Sequence, residues 1–152
     1  MSMIEWDFDR PFTQNFTVQP ADIDGLNHTN NTVYVKWCEQ TAWAHSVSLG
    51  LDLDSYQRLD RAMAIARSEF DYLAASRLDD SVTAATWIVS WDGKLSMYRH
   101  FQIVRDSDQK TLLRSTIKFV CITLSSGRPC RLPKEFRDRY GAAVLNPPPS
   151  HG

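Results

Sequence analysis

Between residues 22 and 31 the chain carries two aspartates, a histidine and three asparagines, in the run Asp22-Ile23-Asp24-Gly25-Leu26-Asn27-His28-Thr29-Asn30-Asn31. Carboxylate, imidazole and amide groups at this density could ligate a metal, act in nucleophilic or general acid–base catalysis, or simply shape turns. The spacing argues against a metal. A calcium loop starting at Asp22 would need glycine at its sixth position and a bidentate glutamate at its twelfth, and Asn27 and Val33 stand there instead. His28 and His45 are too far apart to share a helical turn, and no second Cys/His group lies nearby, so zinc lacks a ligand set. A G-x-S-x-G elbow, a Gly-rich phosphate loop and a G-x-G-x-x-G fingerprint are all missing from the sequence.

Immediately after this cluster, "NNTVYVKWCEQTAWAHSVSLG" reads as the one long helix, capped by Asn30 or Asn31 and ended at Gly50, which suits a left-handed C-terminal position. A carboxylate just before a helix amino terminus faces N–H groups that carry a partial positive charge. The N–H of Asn30 or Asn31 could polarise a bound carbonyl while Asp24 or Asp22 attacks it or activates water. A carboxylate is a feeble catalyst against an amide. Against a thioester it suffices, because a thiol with a pKa near ~8.5 departs without a strong acid. The competing reading is that Asp22, Asp24, Asn27 and Asn30 form only Asx-turns and a cap, and residue types alone favour it.

The elements that must position this cluster follow from periodicity. "FTQNFTVQP" is a strand with Phe12, Gln14, Phe16 and Val18 on one face. In the helix from Asn31 to Leu49, Tyr34, Trp37, Cys38, Thr41, Ala42, His45 and Leu49 make the core-facing stripe. "LDLDSYQRLD" reads as an irregular connector, and strands follow in "RAMAIARSEFDYLAAS", "SVTAATWIVSW", "KLSMYRHFQIVRD" and "KTLLRSTIKFVCITL". Asp92-Gly93 predicts a two-residue type I′ hairpin between the second and third of these. "PKEFRDRY" is a short helix with Pro133 in its first turn. The layout is α+β, one long helix followed by an antiparallel meander.

Composition narrows the class. With 152 residues, 43% hydrophobic and 23% charged, one globular domain over residues 1–140 is expected, with residues 141–152, ending "NPPPSHG", as a disordered tail. A net charge of -1 with scattered arginines offers no field for nucleic acid. No apolar run is long enough for membrane insertion and the start lacks a secretory pattern, so a cytoplasmic protein is expected. Cys38, Cys121 and Cys130 contain no C-x-x-C pair and read as reduced packing residues.

The run from Asp22 to Asn31, continued by Tyr34, Trp37 and Glu39, resembles the "D-x-D-x-x-x-H-x-N-N-x-x-Y-x-x-W-x-E" opening of hot-dog-fold thioesterases, notably the 4-hydroxybenzoyl-CoA thioesterase and acyl-CoA thioester hydrolase group. Plant acyl-ACP thioesterases share much of it. The resemblance covers roughly residues 10 to 125. It implies a hot-dog fold, with one long central helix wrapped by a curved antiparallel sheet of about five strands, assembled as a homodimer or a dimer of dimers. It implies hydrolysis of an acyl-CoA substrate without cofactor or metal. Asp24 would be the nucleophile or general base, the Asn31 backbone N–H the oxyanion contact, His28 a catalytic or loop-ordering residue, and Asp22 a loop-shaping one. Asn30, Glu69 and Tyr72 would border the substrate.

Two departures qualify the match. Acyl-ACP thioesterases have asparagine where Leu26 stands, which weakens acyl-ACP as the substrate. In the "E-x-x-Y-x-x-P-x-x-x-G-D" strand of many relatives, Glu69, Tyr72 and Asp80 match, while Ala75 and Asp79 replace the proline and glycine. Glu69 could equally pair with Arg67 or Arg99. Glu39 fits the helix surface better than catalysis, and Trp37, Trp43, Trp87 and Trp91 fit core or interface better than an acyl tunnel. Arg99, Arg105 or Arg128 could meet the CoA phosphates. The rival functions are an acyl-ACP thioesterase, a hot-dog hydratase or dehydratase, and a non-catalytic acyl-CoA-binding protein.

Overall fold

The computed structural model describes residues 4–145. In chain order it contains β1 (Phe12–Thr17), a 3₁₀ turn (Pro20–Asp22), α1 (Asn31–Ser48), α2 (Leu53–Leu59), β2 (Arg61–Tyr72), β3 (Ser81–Trp91), β4 (Ser96–Arg105), β5 (Lys110–Thr123) and α3 (Lys134–Ala143). The five strands form one antiparallel sheet in the order β1-β3-β4-β5-β2. β1 lies against β3 with Phe12 opposite Thr86 and Thr17 opposite Ser81. The order leaves β2, a strand of 12 residues, at one edge. No described helix is long and apolar enough to cross a membrane.

The expected helix, strands and α+β class are all present. α1 buries Tyr34, Trp37, Cys38 and Thr41 of the expected stripe, while Ala42, His45 and Leu49 are half-buried. Two local expectations are corrected. The connector after α1 contains a helix, α2, whose start is fixed by Asp52: its Oδ1 accepts from the Ser55 N–H and hydroxyl, each at 2.9 Å. Its end is fixed by Asp60, left-handed at φ 53°. Seven residues are too few to display a helical period, which is why only the cap was available to reveal it.

The β3–β4 hairpin forms where Asp92-Gly93 predicts it, but through a longer loop than a two-residue type I′ turn. Only Gly93 has positive φ, and the Asp92 Oδ1 accepts from the N–H groups of Lys94, Leu95 and Ser96 at 2.8, 2.8 and 3.0 Å. One carboxylate gathering three donors stabilises a wider loop than backbone twist alone would select. At the other end, α3 runs to Ala143, Val144 bridges to Ile88, and the Leu145 N–H donates to the Ile88 carbonyl at 3.0 Å. The rest of the expected tail, residues 146–152, lies outside the described residues.

The packing divides into two compact units. One comprises the chain up to Ala42 with Phe70–Thr86 and Phe101–Ser115; the other comprises Trp43–Glu69, Trp87–His100 and the chain from Thr116. In the first, Trp37 stacks on Phe16 at 5.5 Å and meets Tyr34 edge-on at 5.5 Å. In the second, Leu51, Tyr56, Ile88, Met97, Cys121, Leu132, Phe136 and Tyr140 form a buried cluster.

Candidate active site

In the first unit, residues 22–30 fold into a miniature antiparallel hairpin that leads straight into α1. The Asn30 N–H donates to the Asp22 carbonyl at 2.8 Å, Ile23 bridges to Thr29, and the Asp24 N–H donates to the His28 carbonyl at 2.8 Å. At the tip the Asn27 N–H reaches the Asp24 carbonyl at 3.1 Å, and Asn27 itself is left-handed at φ 62°. Asparagine tolerates that conformation better than other residues with a Cβ, so Asn27 closes the turn. Asp22 is a loop-shaping residue, as expected: its Oδ2 accepts from the Gln19 N–H at 2.9 Å, holding the 3₁₀ turn.

The Asp24 carboxylate is half committed. Its Oδ1 accepts from the N–H groups of Leu26 at 2.8 Å and His28 at 3.2 Å, which is the Asx-turn role that residue type alone favours. Among the described residues no hydrogen bond engages its Oδ2. The side chain is therefore oriented by one oxygen and available through the other. His28 is half-buried, and only its backbone enters hydrogen bonds among the described residues.

The helix start is similarly divided. Asn30 is the cap: its Oδ1 accepts from the Thr32 N–H at 3.0 Å and the Thr32 hydroxyl at 2.8 Å, and its carbonyl accepts from the Val33 N–H at 2.9 Å. The Asn31 N–H, between these satisfied donors, meets no acceptor among the described residues. It is an outward-facing donor at the positive end of an 18-residue helix.

A buried ring of hydroxyls fastens the hairpin to the segment after β2. Ser76 donates its N–H to the Tyr34 phenol oxygen at 3.0 Å; the Tyr34 hydroxyl lies 2.8 Å from Ser76 Oγ, and Ser76 Oγ lies 2.7 Å from Thr29 Oγ1. The Thr29 hydroxyl donates to the Ser76 carbonyl at 3.1 Å, and the Thr29 N–H donates there at 2.9 Å. One assignment satisfies every proton: Tyr34 to Ser76 Oγ, Ser76 to Thr29 Oγ1, Thr29 to the carbonyl. Thr29, Tyr34 and Ser76 are buried at 4%, 3% and 0% exposure, so this ring is a rigid support. Sequence reading missed Thr29 and Ser76 in this role; Thr29 stood inside the recognised motif, whereas Ser76 carried no signal.

The remaining expected residues fall as follows. Tyr72 is exposed, with its ring 6.2 Å from Tyr34 and 6.3 Å from Phe70, and partial burial followed by the nearby Cys38 raises its pKa. Glu69 belongs to the other unit, where it is exposed and ion-paired with Arg67. Glu39 is exposed on α1. Arg99 is not a surface phosphate ligand: it is 1% exposed, with its guanidinium 2.8 Å from His45 Nδ1 and donating to Ser46 Oγ at 3.3 Å. Arg105 is held by Asp108 and the Ala75 carbonyl, and Arg128 is exposed. Among the described residues no group of three or more His, Cys, Asp or Glu side chains is placed to hold a metal ion.

A family model described as the thioesterase-like superfamily matches residues 18–140. The chain belongs to this superfamily. Its sheet and helices are those of the hot-dog fold. Among solved structures it resembles Slr0204, a 1,4-dihydroxy-2-naphthoyl-CoA thioesterase from Synechocystis, with a TM-score of 0.78 at 20% identity over 87% of this chain and 96% of that one. It also resembles SAV2348 from Staphylococcus aureus, solved in complex with CoA, with a TM-score of 0.81 at 20% identity over 96% of this chain and 90% of that one. The chloroplastic acyl-acyl carrier protein thioesterase ATL3 of Arabidopsis thaliana is 24% identical over 124 residues. That match spans 81% of this chain and 64% of the longer relative.

Proposed function

We propose that this superfamily member hydrolyses an acyl-CoA to the free acid and CoA, with Asp24 as the nucleophile or general base. The observation that carries this reading is that two groups stay uncommitted on the braced hairpin and the helix start it leads into: Asp24 Oδ2 and the Asn31 N–H. The thioester carbonyl oxygen would accept from the Asn31 N–H, whose position at a helix start favours the negative charge that develops there. Asp24, anchored through Oδ1, would attack the carbonyl carbon through Oδ2 or remove a proton from water. CoA leaves as a thiol of ordinary acidity, so no strong general acid is required. His28 would order the loop, and Asn30 would serve the substrate by holding the helix start rather than by touching it.

A fatty or aromatic acyl-CoA is favoured as the substrate. The CoA-bound SAV2348 structure and the naphthoyl-CoA thioesterase support CoA as the carrier, and Leu26 in place of asparagine argues against acyl carrier protein. A homodimer through the β2 edge is part of this reading: β2 ends the sheet, and residues 65–69 of it are exposed. An uncovered edge of that length invites pairing with a second copy.

The decisive experiment follows thiol release from short, medium, long and aromatic acyl-CoAs, using the wild type beside Asp24→Asn. Asparagine keeps the Oδ1 acceptor, so the turn persists while the base is lost. The expected result is a fall in turnover of about 100- to 10,000-fold with the melting temperature retained. Equal turnover by both proteins would remove Asp24 from the mechanism. Failure of the wild type on every substrate, despite CoA binding, would replace hydrolysis with ligand binding.

A further inference from the structure

Away from Asp24, the second unit holds a second cluster able to do chemistry. Cys121, at the end of β5, and Cys130, on the segment that returns beside it, bring their sulfurs to 3.8 Å. They are direct cross-strand neighbours: Ile122 bridges to Pro129, the Cys130 N–H donates to the Cys121 carbonyl at 3.0 Å, and the Thr123 N–H donates to the Arg128 carbonyl at 2.9 Å. Residues opposed in this way have Cα atoms about 4.5–5.5 Å apart, inside the range of about 4.4–6.8 Å that a disulfide spans. The intervening turn is held in place. The Asp60 carboxylate accepts from the Ser125 N–H at 2.9 Å and from its hydroxyl at 2.7 Å, and the Asp60 carbonyl accepts from the Leu124 N–H at 3.1 Å.

The two thiols are unequal. Cys121 is buried and donates toward the Arg131 carbonyl at 3.9 Å, whereas Cys130 is half-exposed. Burial, with contact from Cys130, pushes the Cys121 thiol up to about 12, and the Arg61 guanidinium pulls in the opposite direction. Arg61 also has a buried Nε with no hydrogen-bond partner, so a cation with an unused donor lies beside the pair. This arrangement provides an outer thiol that a reagent can reach and an inner thiol already within one bond-forming step of it.

We propose that Cys121 and Cys130 are a redox-active dithiol that hydrogen peroxide converts to an intramolecular disulfide. The Cys130 thiol ionises, its thiolate attacks one peroxide oxygen, the O–O bond breaks, and the departing hydroxide takes up the released proton as water, leaving a sulfenic acid on Cys130. The Cys121 sulfur then attacks the Cys130 sulfur; the S–O bond breaks and the hydroxyl leaves with the Cys121 proton as a second water. Two thiols are oxidised to one disulfide and one peroxide is reduced to two waters. Cys38, buried in the other unit, takes no part.

The test treats the full chain with hydrogen peroxide, unfolds it without reductant, alkylates free thiols and measures intact mass and linked peptides. The three thiols of the untreated protein should fall to one alkylated site, Cys38, with a loss of about 2 Da before alkylation that dithiothreitol restores. Cys38→Ser should keep the loss of about 2 Da, and Cys130→Ser should abolish it. Retention of all three alkylated sites would overturn the proposal. So would Cys130 carrying added oxygens beside an alkylated Cys121, or a disulfide joining two copies of the chain.

Discussion

Polar side chains gather in both units, and the two gatherings are built on opposite plans. In the first unit, Asp24 bonds to the backbone of its own hairpin and Asn30 to that hairpin and the first turn of α1, and two groups are left over: one Asp24 carboxylate oxygen and the Asn31 N–H. In the second, side chains saturate one another around a buried cation. Arg99 donates to His45 and Ser46, Ser46 lies 2.8 Å from the Tyr140 hydroxyl, and Tyr140 closes a short hydrogen bond with Tyr56. No carboxylate joins Arg99 among the described residues, so neutral acceptors alone hold it. The largest pKa displacements belong to this second cluster, where burial takes His45 down to about 3, aided by the Arg99 charge. Displaced titration thus marks enclosure here, and unspent hydrogen-bonding capacity marks the place where a substrate can still be met.

Acid should attack the second cluster first, and with the largest effect on stability. Arg99 is always a donor, so His45 Nδ1 accepts and the ring is neutral with its proton on Nε2. The folded-state pKa lies below the ordinary value near 6.5, so between those values the unfolded chain binds more protons than the folded one. Stability from this group is therefore complete above about pH 6.5 and is lost as the pH falls toward 3. Thermal melts across that window should decline steeply for the wild type and less for His45→Asn, whose Oδ1 replaces the Nδ1 acceptor without titrating. Parallel declines would show that acid sensitivity arises elsewhere.

A matched pair of deletions separates support of the site from support of the fold. Ser76→Ala opens the hydroxyl ring under Thr29 and Tyr34; Tyr140→Phe removes the hydroxyl shared by Ser46 and Tyr56. Each should cost about 1–3 kcal/mol, because buried partners lose a hydrogen bond. The consequences for thioester hydrolysis should diverge. Ser76→Ala should lower kcat as the Asp24 hairpin loosens, whereas Tyr140→Phe should leave kcat within about twofold of the wild type under conditions where it stays folded. Equal losses of kcat would mean that the two clusters are not functionally separable.

The elements were legible where a long period or a turn residue spoke for them. β3 was marked by its β-branched and aromatic content, and α1 by the stripe from Tyr34 to Thr41. The proposed site was legible as a motif, since Asp24 and Asn31 stand in a recognised run. What remained hidden was non-local: Ser76 has no distinguishing neighbours, and Arg99 stands in the Met97–Phe101–Ile103 register of β4, but its charge reads by type as a surface group. Its burial depends on acceptors drawn from α1 and α3, residues 46 and 140, which no window of sequence brings together. α2 was hidden for a different reason, being too short for periodicity to exceed noise.

The smallest expected effect bears on Asn30, which could be a substrate contact or only a cap. Its Oδ1 is already engaged by the Thr32 N–H and hydroxyl, and its N–H by Asp22, so the cap role uses the acceptor that a substrate would otherwise meet. Asn30→Ala should cost about 1 kcal/mol, the usual loss for a missing cap, and Asn30→Ser should recover most of it because serine caps nearly as well. Under the capping assignment, KM for an acyl-CoA tracks stability in the two variants: raised in alanine as the first turn of α1 frays, near normal in serine. A direct contact would behave differently, since the serine hydroxyl is shorter and chemically distinct from an amide. KM elevated to the same degree in both variants, with serine restoring only the melting temperature, would therefore move Asn30 from the group that shapes the site to the group that touches the substrate.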